Sequence, residues 1–204
     1  LGLPVFSICN GGALIKEPGG TTHHAVVMDN DDLISLAETA RRLGLALVAQ
    51  RDAHTHGGAD FHIDEVQHND STRRYREENA SYCDVRDLTT SEDAFLVIGV
   101  FGKEASLNAL AEAVTHSHSG RYSCTVVPHM RGSDHFCEIS QAHVHKGYGL
   151  ARLAEHLDLT LDAVCAVGDE LNDLPMLESV AHPVAMGSGN PRLHDLAVLV
   201  CGAN

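Results

Sequence analysis

From Gly147 to Cys201 helix-like and strand-like segments alternate without a break, and this alternation constrains the fold more than any other feature of the chain. Residues 147–157 carry Leu150, Leu153, Ala154 and Leu157 at helical spacing. Residues 163–167 are a short apolar run of the kind that forms a buried strand. Residues 172–180 read as a helix with Pro175 in its first turn, where a missing N–H costs little. Residues 183–186 read as a strand, 191–196 as a short helix and 197–201 as a last strand. This order predicts an α/β fold built on a Rossmann-like, doubly wound parallel sheet with right-handed connections.

The run at 163–167 leads into Gly168-Asp169-Glu170-Leu171-Asn172-Asp173. Gly168 lets the backbone turn as it leaves the strand. Asp169 then falls at the carboxyl end of that strand, where open α/β sheets place their ligands. Asp169, Asn172 and Asp173 together offer an all-oxygen set suited to a hard cation such as Mg²⁺. The same three residues also suit capping of the turn and of the helix after it. Lys146 opens a helix, the wrong end for a cation in the field of the helix dipole. It reads either as a solvated surface lysine or, with the helix N-terminus, as an anion site for a group such as phosphate. One helix and one strand separate Lys146 from Asp169, which returns both to the same sheet edge. A cation beside a carboxylate cluster suits metal-assisted phosphoryl chemistry.

Three stretches together resemble one family. They are Lys146-Gly147-x-Gly149-Leu150-x-x-Leu153, Val167-Gly168-Asp169-x-x-Asn172-Asp173-Leu174-Pro175-Met176-Leu177 and Val184-Ala185-Met186-Gly187-x-x-x-Pro191. The chain is similar to the haloacid dehalogenase superfamily, and most to its Cof-type phosphatase branch with a large α/β cap. Asn10-Gly11, after an apolar run, resembles the Asn-Gly that follows the second motif of that branch. The resemblance implies a core of residues 1–20 and 141–204 with an inserted α/β cap at 21–140. It implies a Mg²⁺-dependent phosphatase acting on a small phosphorylated metabolite such as a sugar phosphate. Lys146 would bind the phosphoryl group, Asp169 would ligate the metal, and Asn172 and Asp173 would support the metal and its waters. Asn10 and Gly11 would lie on the substrate side.

The chain departs from the family pattern in one respect. The family's nucleophile comes from Asp-x-Asp on the first strand, and a Ser or Thr ends the second motif; neither is present. Asp29-Asn30-Asp31 and Asp158-Leu159-Thr160 are in the wrong place relative to Asn10-Gly11. Both ends read as cut, so the expectation is an inactive piece of a longer phosphatase. Two alternatives remain: a non-catalytic remnant that binds an anion or a protein partner, and a phosphomutase or other phosphoryl transferase on the same core.

Upstream of Lys146 the pattern is looser. Residues 5–9 and 13–15 read as strands separated by Asn10-Gly11-Gly12, and 25–28 as a third strand. Asp29 and the acids after it cap a helix carrying Leu33, Leu36, Ala37, Ala40 and Leu43, ended by Gly44. Residues 45–49 and 95–101 read as strands, with a helix bearing Leu107, Leu110 and Val114 to follow, then strands from Tyr122 and at 136–139. Residues 51–93 are polar and weakly periodic. Gly187-Ser188-Gly189 reads as a plain strand-to-helix turn, since it lacks the Lys-Ser/Thr of a phosphate loop.

The formal net charge of −14 has no basic block to offset it. That argues against a nucleic acid or an anionic membrane surface as partner. No apolar run is long enough to span a bilayer. The six cysteines are scattered without Cys-x-x-Cys spacing, which points to a reduced, cytoplasmic protein. The fifteen histidines include His-x-His pairs but show no zinc spacing, and read as surface and loop residues.

Overall fold

The computed structural model describes residues 5–129 and 134–202. The chain divides into two compact units, one of residues 1–25 and 144–204 and the other of residues 26–143.

The first unit begins with strands β1 (Ser7–Cys9), β2 (Leu14–Lys16) and β3 (Thr22–Ala25), which pair antiparallel in that order. Asn10, Gly11 and Gly12 turn β1 into β2 with φ of 51°, 63° and 111°. Three successive positive φ values explain an Asn-Gly-Gly sequence, because larger side chains are strained there. The third strand lies at Thr22–Ala25, not at 25–28 as the apolar run Ala25–Met28 suggests. Hydrogen bonding places it: Ile15 faces His24 and Lys16 faces Thr22 across the ladder, and the Lys16 ammonium donates to the Thr22 hydroxyl at 2.6 Å.

The second unit holds α1 (Asn30–Arg42), β4 (Leu47–Arg51), α2 (Ala53–His56), β5 (Phe61–Asp64), α3 (Asp70–Glu78), β6 (Cys83–Arg86), β7 (Phe95–Gly102), α4 (Glu104–Ser117), β8 (Tyr122–Pro128) and β9 (His135–Gln141). Its six strands form one sheet in the order β6-β5-β4-β7-β9-β8, in which only β5 and β6 are parallel. Asp29 caps α1 by accepting the N–H groups of Asp31 and Asp32, as the acidic run implies. Leu33, Leu36, Ala37 and Ala40 of α1 and Leu107, Leu110 and Val114 of α4 pack with Leu47, Ile98 and Ile139 in the main core. On a smaller core Val48, Phe61, Ile63 and Phe101 meet Tyr75 of α3.

Two strands, β5 and β6, lie in the stretch 51–93 that shows little periodicity. β5 is buried at all four positions, His62 and Asp64 included, so polar residues stand where a strand pattern calls for apolar ones. Asp64 is accommodated because Arg41 grips both of its carboxylate oxygens, at 2.6 and 2.8 Å, and Leu88 donates its N–H at 3.1 Å.

The chain re-enters the first unit with α5 (Lys146–His156), β10 (Cys165–Gly168), α6 (Leu174–Glu178), β11 (His182–Met186), α7 (Pro191–His194) and β12 (Leu199–Cys201). β10, β11 and β12 form a parallel sheet, the α/β arrangement that the alternation of elements calls for. Ala166, Leu177, Ala185 and Leu193 form its core, with Leu150 and Leu174 against them. The helix expected over 172–180 is broken in two. A 3-10 turn covers Leu171–Asp173 and α6 covers Leu174–Glu178, because the Asp173 carboxylate bonds back to the start of the turn.

Candidate active site around the Gly168–Asp173 turn

The end of β10 is fixed by one side chain. The Asp173 carboxylate accepts the backbone N–H groups of Asp169 at 3.0 Å and Glu170 at 3.1 Å through a single oxygen, Oδ2. Its other oxygen, Oδ1, receives the Lys146 ammonium. The Glu170 side chain in turn accepts the N–H of Asp173, closing a reciprocal capping box. Asp173 is 4% exposed. Burial pushes its pKa up, but the bonds from Lys146, Asp169 and Glu170 outweigh burial and hold the carboxyl below its ordinary value.

Asp169 is placed differently. Its backbone is fully used: the N–H goes to Asp173, and the C=O accepts the N–H of Asn190 at 2.7 Å. The side chain is exposed, as is that of Asn172. The turn thus presents one exposed carboxylate and one exposed amide, while the second carboxylate is committed to holding the loop.

Close backbone approaches assemble this region. A Cβ on Gly168 would stand 2.6 Å from the Asp173 Cβ, and one on Gly147 would stand 2.8 Å from the Pro175 carbonyl carbon. The start of α5 therefore lies directly on the start of α6, which brings Lys146 to Asp173. On its other side α5 meets the β1–β2 turn: a Cβ on Gly149 would come 2.6 Å from the Ile8 side chain and 2.9 Å from the Gly12 Cα. Asn10 and Gly11 are thereby carried to the N-terminal end of α5. The helix is capped by His145, whose Nδ1 accepts the Tyr148 N–H at 3.1 Å.

Among the residues singled out in the sequence, the structure joins Lys146, Asp169 and Asp173 by direct hydrogen bonds, and places Asn172 on the same turn. Asn10 and Gly11 reach the helix that bears Lys146 through packing at Gly12. Two contributors are given no part in the site by the sequence, which shows Gly187-Ser188-Gly189 as a plain strand-to-helix turn and Glu170 as one more acid in the loop. Gly189 lies so close to the Asp169 backbone that a Cβ there would be 2.9 Å from its Cα, so Gly187-Ser188-Gly189 buttresses the turn. Glu170 completes the capping box. The Glu-x-x-Asp spacing is its only sequence signal, and an acidic residue between two others is easily taken for a solvated one.

With this geometry in view, the comparisons with known proteins are consistent. A family model described as haloacid dehalogenase-like hydrolase matches residues 1–204, and the chain belongs to that family. It is 26% identical over 228 aligned positions to the phosphatase YwpJ of Bacillus subtilis (strain 168), covering 100% of this chain and 76% of that protein. It is 29% identical over 121 positions to the 5-amino-6-(5-phospho-D-ribitylamino)uracil phosphatase YitU of the same organism, covering 58% of this chain and 42% of YitU. In fold it is similar to a haloacid dehalogenase-like hydrolase from Bacteroides thetaiotaomicron. There the TM-score is 0.76 at 20% identity, over 97% of this chain and 71% of the other.

Proposed function

We propose that the chain is the larger part of a Mg²⁺-dependent phosphomonoesterase acting on a small phosphorylated metabolite such as a sugar phosphate. The observation that carries this is the Lys146–Asp173–Asp169 arrangement. A buried carboxylate holds an ammonium at a helix N-terminus and, through the backbone of the same turn, an exposed carboxylate. The membership of the chain in a hydrolase family and the phosphatases among its relatives support the same reaction class. YitU, by its name, takes a phosphorylated ribityl compound, which favours a phosphorylated polyol or sugar as the substrate class.

The donor set fits a hard cation. Asp169 and Asn172 are exposed oxygen ligands on one turn, and Asp173 supports them from beneath instead of binding the ion, since Lys146 and two N–H groups occupy its oxygens. Mg²⁺ when bound would neutralise charge on the phosphoryl oxygens. Lys146 has three donors, one of them given to Asp173, and binds the phosphoryl group with the others. Its attachment to Asp173 fixes the ammonium in place before substrate arrives, which is the preorganisation that phosphoryl transfer needs. Asn10 and Gly11 border the substrate.

No aspartate precedes Asn10, where the resemblance would put the Asp-x-Asp nucleophile. We infer that the nucleophile of the proposed reaction is an aspartate outside residues 1–204, which alone turn over no phosphoester. The six free thiols fit a reducing, cytoplasmic setting. The test is phosphate release from a panel of sugar and polyol phosphates, with and without Mg²⁺, by the chain with its upstream coding sequence. Hydrolysis that ignores Mg²⁺ would overturn the metal assignment.

A further inference from the structure

Far from the Gly168–Asp173 turn, three potential ligands from distant parts of the sequence converge. We propose that Glu17, His23 and His156 bind one divalent transition-metal ion of the zinc class. One ligand atom from each of these residues lies within 4.8 Å of the others, and among the described residues this is the one such group of three or more His, Cys, Asp or Glu. The His156 Nε2 is 3.8 Å from the Glu17 Oε1, and the His23 and His156 rings lie with centroids 3.6 Å apart at 33°.

The backbone holds the three side chains in place. Glu17 and His23 stand on the two limbs of the turn between β2 and β3. That turn is tight: the Glu17 N–H donates to the Thr21 carbonyl at 2.8 Å and the Gly20 N–H to the Glu17 carbonyl at 2.9 Å. His156 is the last residue of α5, where the negative end of the helix dipole favours a cation. Phe6 packs edge-on against the His156 ring at 5.8 Å. Arg152, one turn earlier on α5, is paired with Glu155 at 2.5 Å, which offsets its charge.

The chemistry selects the ion. Two imidazoles and a carboxylate suit Zn²⁺, Co²⁺ or Ni²⁺, whereas Mg²⁺ and Ca²⁺ prefer all-oxygen sets. Ligands on a tetrahedral zinc at about 2.05 Å stand about 3.3 Å from one another. Reaching that spacing shortens the ligand-atom separations by about 1.5 Å at most, and χ rotations that unstack the His23 and His156 rings turn their in-plane lone pairs toward one ion. Three protein ligands leave the fourth position to water. A bound ion would tie the end of α5 to the β2–β3 turn, about 15 Å along the helix from Lys146.

The test uses the untagged chain of residues 1–204. Zn²⁺ affinity is measured by competition with a chromophoric chelator for the wild type, His156→Ala, His23→Ala/His156→Ala and Glu17→Gln. An Asp169→Asn background separates this site from the one assigned to Mg²⁺. The expected result is one ion per chain, weakened at least about tenfold by each substitution at the three ligands and unchanged by Asp169→Asn. Zn²⁺ should also raise the melting temperature of the wild type and not of the double variant. Co²⁺ added to the wild type gives an independent reading that needs no variant: intense visible bands of a four- or five-coordinate ion are expected. Undiminished affinity in the double variant, loss of binding on Asp169→Asn alone, or only the spectrum of hydrated Co²⁺ would overturn the assignment. None of these outcomes bears on phosphatase turnover, so this site and the proposed reaction stand or fall separately.

Discussion

Replacing Asp173 by Asn tests whether one carboxylate organises the β10 turn. The carboxylate accepts two backbone N–H groups and pairs with Lys146. A hydrogen bond to a charged group contributes about 1.5–3 kcal/mol. Asp169 and Glu170 are exposed, so water replaces part of what is lost, and the Lys146 side chain is 37% exposed, so the ion pair is discounted for screening. The net cost to the first unit at pH 7 is about 2–3 kcal/mol. The pH dependence carries its own sign. Asp173 titrates below the ordinary carboxylate value, so its contribution is complete above about pH 4 and is lost as the pH falls through the depressed folded value. Urea unfolding at a series of pH values, with hydrogen exchange at the Asp169 and Glu170 amides, reads both effects. The wild type should lose its advantage over Asp173→Asn as acid is added, and the two amides should exchange faster in the variant at neutral pH. Stabilities within about 0.5 kcal/mol of each other at pH 7, with parallel pH curves, would refute the reasoning.

Gly147→Ala should destabilise the first unit by about 2 kcal/mol or more in chemical unfolding, because the new methyl meets the Pro175 carbonyl and separates α5 from α6. In the second unit Arg41→Met should cost about 3 kcal/mol, read by the same method. It strands the Asp64 carboxylate, whose side chain is 0% exposed, with the Leu88 N–H as its remaining partner among the described residues. Under the proposed reaction, Lys146→Ala in the chain with its upstream sequence should reduce phosphoester turnover by about a hundredfold or more in steady-state assays, by removing the charge assigned to the phosphoryl group.

Much of the candidate site's geometry is legible in the sequence because it is local. Gly168, Asp169, Asn172 and Asp173 fall on one turn whose spacing alone announces a strand end followed by a helix start. The Lys146 position follows from the helix and strand between it and the turn. The Gly189 buttress escapes such reading, because its value depends on a backbone twenty residues away along the chain approaching within van der Waals contact. The second unit shows the same division. The α1 and α4 faces repeat at helical spacing and can be read directly, whereas β5 hides behind His62 and Asp64. A buried strand with polar side chains is recognisable only once the partner, here Arg41 from another element, is known. Likewise Glu17, His23 and His156 have no common spacing, and only the packing of α5 beside the β2–β3 turn brings them together.

The central claim, that Asp169 belongs to a metal-dependent phosphoryl-transfer site, is tested most directly by phosphate release under saturating sugar phosphate. The assay compares the chain carrying its upstream coding sequence with its Asp169→Asn variant, each in Mg²⁺ and in EDTA. Turnover that requires Mg²⁺ and is lost in Asp169→Asn is the expected result. Full turnover by Asp169→Asn, or turnover undiminished by EDTA, would contradict it.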